Sequence, residues 1–93
     1  MMRTLVVRGE VAHELNEVYR WYEQRREGLG SAFLDGAEHT LHAIQARPQS
    51  FPVVAGEVRR AILHRFPYAI FYRFDENRIL VLAVFHGSRK PFA

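Results

Sequence analysis

The stretch from Glu57 to Pro91, EVRRAILHRFPYAIFYRFDENRILVLAVFHGSRKP, constrains this chain more than any other. It holds three runs rich in β-branched and aromatic residues: Val58 to Phe66, Tyr68 to Phe74 and Arg78 to His86. The separators are turn-sized, so no helix fits between them. Asp75-Glu76-Asn77 is a polar three-residue connection, and Asn77 tolerates the left-handed conformation that such a hairpin takes. Pro67 lacks a backbone donor and marks the other corner. The pattern predicts an antiparallel three-stranded meander. Its third run, Ile79 to Phe85, is apolar in both alternating registers, which predicts an internal strand covered on both faces.

The residues upstream supply one cover. Arg3 to Val7 is a short β-type run, broken by Gly9 and Glu10. From Glu10 to about Glu27 the periodicity is helical, with Leu15, Val18, Tyr19 and Tyr22 on one face. Glu10, Glu14 and Glu17 come early and Arg25-Arg26 late, in keeping with the helix dipole. That acidic run reads as a solvated face. Gly28 and Gly30 end the segment. Ser31 is placed to cap a second helix running to about Arg47, with Leu34, Ala37, Leu41 and Ile44 on its buried face and Pro48 as its stop. Gln49 to Gly56 reads as a connecting loop. The order β-α-α-β-β-β predicts one α+β domain over residues 1–93, a helical hairpin packed on an antiparallel sheet that the first strand joins beside one of the later three.

A chain of 93 residues makes one domain and buries only about two thirds of its unfolded surface. Yet 48% of its residues are hydrophobic and 13% aromatic, which leaves apolar surface for a partner. The absence of cysteine excludes disulfides and thiolate metal sites. The run MMRTLVV is too short for a signal peptide and no run reaches a membrane span, so a cytoplasmic protein without membrane contact is expected. Net charge is +3, and Lys90 is the only lysine among the 13 basic residues. An arginine-built basic surface suits nucleic acid or an acidic protein partner.

Several words of the sequence resemble the RelE/ParE superfamily of type II toxin–antitoxin toxins: WYEQRREGLGSAFL in the hairpin, Arg47-Pro48 followed by Phe51-Pro52, RRAILHRFPYAIFYRF in the meander, and the ending VLAVFHGSRKP. The likeness covers nearly the whole chain and rests on the order and distances of these words. It implies a toxin neutralised by the C-terminal segment of a cognate, ParD-like antitoxin in a hetero-oligomer. It also implies one of two activities. RelE-like members cut messenger RNA in the ribosomal A site; ParE-like members inhibit DNA gyrase and are known from plasmid stabilisation modules. Neither requires a cofactor or metal. If the chain is a nuclease, His64 and His86 supply acid–base chemistry and Arg60, Arg65 and Arg73 supply cations. The meander has no lysine, Gly87 follows His86, and Phe92 stands where many of the nucleases keep a tyrosine, so the ParE-like reading is preferred. Its target contacts are then Arg59, Arg60, Arg65, Arg73, His86, Arg89 and Lys90. A third reading is a non-toxic, antitoxin-bound scaffold or regulator.

Each of these residues also has a structural reading. Arg59 and Arg60 are adjacent on a strand and point to opposite faces. Arg65 and Arg73 flank a corner where Asp75 and Glu76 can pair with them, and His86 ends a buried strand. His39 and His42 share a helix face without a third ligand. Tyr19, Trp21 and Tyr22 read as hairpin packing before they read as a stacking platform.

Overall fold

The computed structural model describes residues 2–87. Strand β1 (Thr4–Val7) leads into helices α1 (Gly9–Arg25) and α2 (Leu29–Ala46); a short helical turn (Pro48–Ser50) follows, then β2 (Val53–Ala55), β3 (Val58–Ile62), β4 (Tyr68–Phe74) and β5 (Arg78–His86). The five strands form one sheet in the order β1-β5-β4-β3-β2. The α+β class, the helical hairpin and the meander follow the sequence expectation.

Three particulars differ from it. β1 pairs with β5 in parallel, from Thr4 opposite Arg78 to Val7 opposite Val81, so the sheet is mixed. The helical hairpin provides the long crossover that a parallel neighbour needs. The segment read as a loop contains β2, which pairs antiparallel with β3 across a turn at Gly56, whose φ is +55°. A strand of three residues is too short to show alternation. Finally, β3 stops at Ile62, although the apolar run continues. Leu63 and Phe66 remain apolar because both are buried in the core from the loop.

The two-sided apolar character of β5 has a specific origin. Tyr72 pairs with Val81 and Phe71 with Ala83, so Leu82 is the extra residue of a β-bulge. The alternation shifts there by one. Ile79, Val81 and Val84 belong to the main core with the helices. Ala83 and Phe85 pack with Ala69, Phe71 and Val58 in a separate cluster on the opposite face. The sheet therefore has a helix-covered face and a second face with its own apolar band.

On α1, Val11 is the fully buried residue, with Leu15, Val18 and Tyr22 packed around the core. On α2, Phe33, Ala37, Thr40 and Ile44 are buried, while Leu34 and Leu41 lie on the flank of that stripe. The helices meet at a tight corner. Gly28, at φ +87°, precedes α2, and Ser31 lies inside the helix rather than capping it. The cap comes from α1: the Glu23 carboxylate accepts the N–H groups of Gly28 and Gly30, both at 2.9 Å. A Cβ on Gly30 would stand 2.5 Å from the Tyr19 carbonyl oxygen, so only glycine permits this approach. Above it Tyr22, Phe33, Phe66 and Tyr68 form an aromatic cluster with ring centroids 4.9–6.3 Å apart. Trp21 stays 49% exposed, with Arg25 4.0 Å over its ring.

Candidate functional site

The candidate residues occupy two ends and both faces of the sheet. At the β3–β4 corner, His64 and Arg65 are exposed. His86 pairs with Tyr68 at the same end, its ring edge-on to the tyrosine at 5.4 Å, and the next residue's N–H bonds Pro67 O at 2.6 Å. Arg73 lies five residues along β4 from Tyr68, a separation of about 16 Å at the strand rise. By alternation it also points to the other face. The set His64, His86, Arg60, Arg65 and Arg73 is therefore brought together only in part, with the histidines and Arg65 at one end and Arg73 at the other.

Arg59 and Arg60 do diverge. Arg59 turns toward the helix side, where its guanidinium donates to Phe51 O at 2.7 Å and Gln49 O at 3.1 Å and lies 5.5 Å from the Phe74 ring. It is anchoring the loop after α2. Arg60 stands opposite Phe71 on the helix-free face. It is half-buried, and its Nε–H is shut off from solvent with no acceptor.

The β4–β5 turn carries a charged end that the sequence indicates only in part. The Asp75 carboxylate accepts the N–H groups of Asn77 and Arg78, both at 2.8 Å. These bonds hold its pKa below the usual carboxylate value, with Arg78 and Arg3 adding to the effect. The turn is thus closed by an aspartate side chain, and Asn77 does not take the left-handed conformation expected of it. Asp75 pairs with Arg78 at 4.0 Å; the pairing expected with Arg65 or Arg73 does not form. Arg3 donates from Nε to Asp75 O at 2.6 Å and lies 4.9 Å from the Phe74 ring. Arg78 is legible as the residue opening the third apolar run. Arg3 carries no sequence signal, since it arrives through the parallel pairing of β1. Beside this turn a cleft of about 200 Å³ is lined by Val6, Glu57, Arg73, Phe74, Arg78 and Leu80, among others.

Arg89 and Lys90, with Pro91 and Phe92, lie outside the described residues. Among the described residues no group of three or more His, Cys, Asp or Glu could hold a metal ion. His42 approaches Glu38 at 4.0 Å and His13 approaches Glu17 at 2.7 Å, both one helical turn apart on the surface. No described helix is long and apolar enough to cross a membrane.

This architecture is shared with a solved structure described as the chromosomal ParDE toxin–antitoxin system from P. aeruginosa. The TM-score is 0.68 at 19% identity, covering 91% of this chain and 96% of that one. No curated protein matches the chain. The family model for the ParE toxin of the type II toxin–antitoxin system parDE matches residues 5–91, and so this chain belongs to the ParE toxin family.

Proposed function

We propose that this protein poisons DNA gyrase by binding it, breaking no bond itself, and that a cognate antitoxin holds it inactive in a toxin–antitoxin hetero-oligomer in the cytoplasm. Family membership over residues 5–91 supports the pairing with an antitoxin. The observation that carries the choice of mechanism is that the five residues a nuclease would use are not gathered at one point: His86, on β5, pairs with Tyr68 at the start of β4, Arg73 lies toward the other end of β4 on the opposite face, and Arg60 stands opposite Phe71 on that same opposite face. Cleaving RNA without a metal requires an acid, a base and a cation within hydrogen-bond reach of one phosphate. A binding toxin has no such requirement and can spread its contacts over Arg60, Arg65, Arg73, His86, Arg89 and Lys90. Arg59 is better described as internal to the fold, given its two carbonyl partners.

The test adds the purified protein to gyrase and relaxed plasmid, alongside end-mapping of RNA from cells expressing it. Lost supercoiling or stalled cleavage complexes, with intact messenger RNA, is the expected result. Cuts at ribosomal A sites with unaffected gyrase would replace this reading with the RelE-like one. Neither effect, with normal growth, would indicate the scaffold.

A further inference from the structure

A row of side chains crosses the sheet near the β4–β5 turn: Val6 on β1 opposes Leu80 on β5, and Leu80 opposes Arg73 on β4. Arg78 lies two residues from Leu80 on the same face, diagonal to Arg73. Diagonal positions on neighbouring strands are about 7–8 Å apart, within reach of long side chains. These four residues line the cleft of about 200 Å³, and Glu57 and Asp75 stand in its wall. The two carboxylates differ. Asp75 is committed to its own turn, accepting the N–H groups of Asn77 and Arg78 and pairing with the Arg78 guanidinium at 4.0 Å. Glu57 is exposed in the β2–β3 turn and has no hydrogen-bond or ion-pair partner among the described residues; the same holds for Arg73. The cleft therefore carries one spare charge of each sign, held too far apart to pair with each other, beside an apolar floor of Val6 and Leu80.

We propose that this cleft binds a free α-amino acid with an apolar side chain, its carboxylate on Arg73 and Arg78, its ammonium on Glu57 and its side chain on Val6 and Leu80. Charge selects this class of ligand. The two guanidinium and two carboxylate groups of the cleft sum to zero, and the spare ones are opposite in sign, which matches a zwitterion. A phosphate would bring excess negative charge against Glu57 and Asp75. Size points the same way. Sites for drug-sized ligands start at roughly 300 Å³, so a cleft of about 200 Å³ suits a molecule smaller than a nucleotide. The chemistry of the groups fits as well, since a guanidinium fork donates to both oxygens of a carboxylate. Arg78 is already held by Asp75, which lowers the ordering cost of binding. The proposal stands independently of the gyrase and antitoxin readings.

The experiment is an NMR titration of the isotope-labelled full chain with L-leucine, following its backbone amides and arginine Nε–H signals. The comparison probes are N-acetyl-leucine, which lacks the cation, leucinamide, which lacks the anion, glycine, which lacks the apolar side chain, and adenosine monophosphate. Leucine is expected to shift Val6, Glu57 and the β4–β5 turn together with the Nε–H signals of Arg73 and Arg78. Its dissociation constant should be about 1 mM, in keeping with so few ligand atoms. N-acetyl-leucine and leucinamide should each bind about tenfold more weakly, as expected for losing one charge-assisted hydrogen bond. Glycine should be weaker by a similar factor for want of apolar burial. Glu57→Gln should bring leucine down to the level of N-acetyl-leucine, and Arg73→Ala to that of leucinamide. Both replace exposed side chains, so the amide spectrum elsewhere should stay unchanged. No shift at about 50 mM leucine would overturn the proposal. So would equal binding of leucine and N-acetyl-leucine, tighter binding of the nucleotide, or shifts confined to the helices.

Discussion

Tyr72 donates its phenol O–H to the backbone carbonyl of Pro48 at 2.6 Å, tying the middle of the sheet to the turn that ends α2. Both residues are fully buried. Arg59, opposite Tyr72 in the register, binds the same loop through Gln49 O and Phe51 O. The path of the chain from α2 to β2 is thus set by two neighbouring side chains reaching out of β3 and β4.

Tyr72→Phe should leave the Pro48 carbonyl without a partner and cost about 1–3 kcal/mol in denaturant unfolding. Burial pushes the Tyr72 phenol up to about 12 from 10.0. A raised folded-state value means that this contribution is complete below pH 10.0 and is lost as pH climbs toward about 12. The Phe variant should show a shallower alkaline decline than the parent; identical profiles would refute the linkage.

Arg59→Ala and Arg73→Ala should separate structure from surface. The first removes a charged donor from two carbonyls and should cost about 1.5–3 kcal/mol. The second removes an exposed side chain and should change stability by less than about 0.5 kcal/mol. Any loss of gyrase inhibition in Arg59→Ala should therefore track its fraction unfolded, measured by circular dichroism.

Gly30→Ala forces a methyl group against the Tyr19 backbone and should destabilise by about 1–3 kcal/mol, read as a lower thermal midpoint. Glu23→Gln should weaken the same corner. The N–H donors of Gly28 and Gly30 depress the Glu23 pKa below 4.5, so its contribution is present above that pH and disappears as pH falls through the lowered value. The difference between Glu23→Gln and the parent should accordingly shrink in acid.

Val81→Asp places an unpaired carboxylate at a position 1% exposed and should leave no cooperative unfolding transition. The sequence alone points to Leu82→Asp as the equivalent test, on the assumption that the whole third run is central core. Leu82 is half-buried and is the extra residue of the bulge, so Leu82→Asp should retain a folded state of reduced stability. Equal behaviour of the two variants would contradict the bulge.

The element order, the helical hairpin and the three long strands were legible because they are written in local pattern: the helical spacing of Leu15, Val18, Tyr19 and Tyr22, and the β-branched and aromatic runs between turn signals from Val58 to His86. The toxin family was legible for a related reason, since its words lie in those same elements. Other features needed the tertiary structure. The parallel seat of β1 depends on where a long crossover lands. The bulge at Leu82 depends on the register of β4, and the Glu23 cap on the angle of a corner between two helices. The site residues divided in the same way. Residue type marked Arg59, Arg60 and Arg73 as equivalent cations, but hydrogen-bond partners, face and end of the sheet are through-space quantities. These made Arg59 an internal brace, left Arg60 without an acceptor, and set Arg73 far from His86.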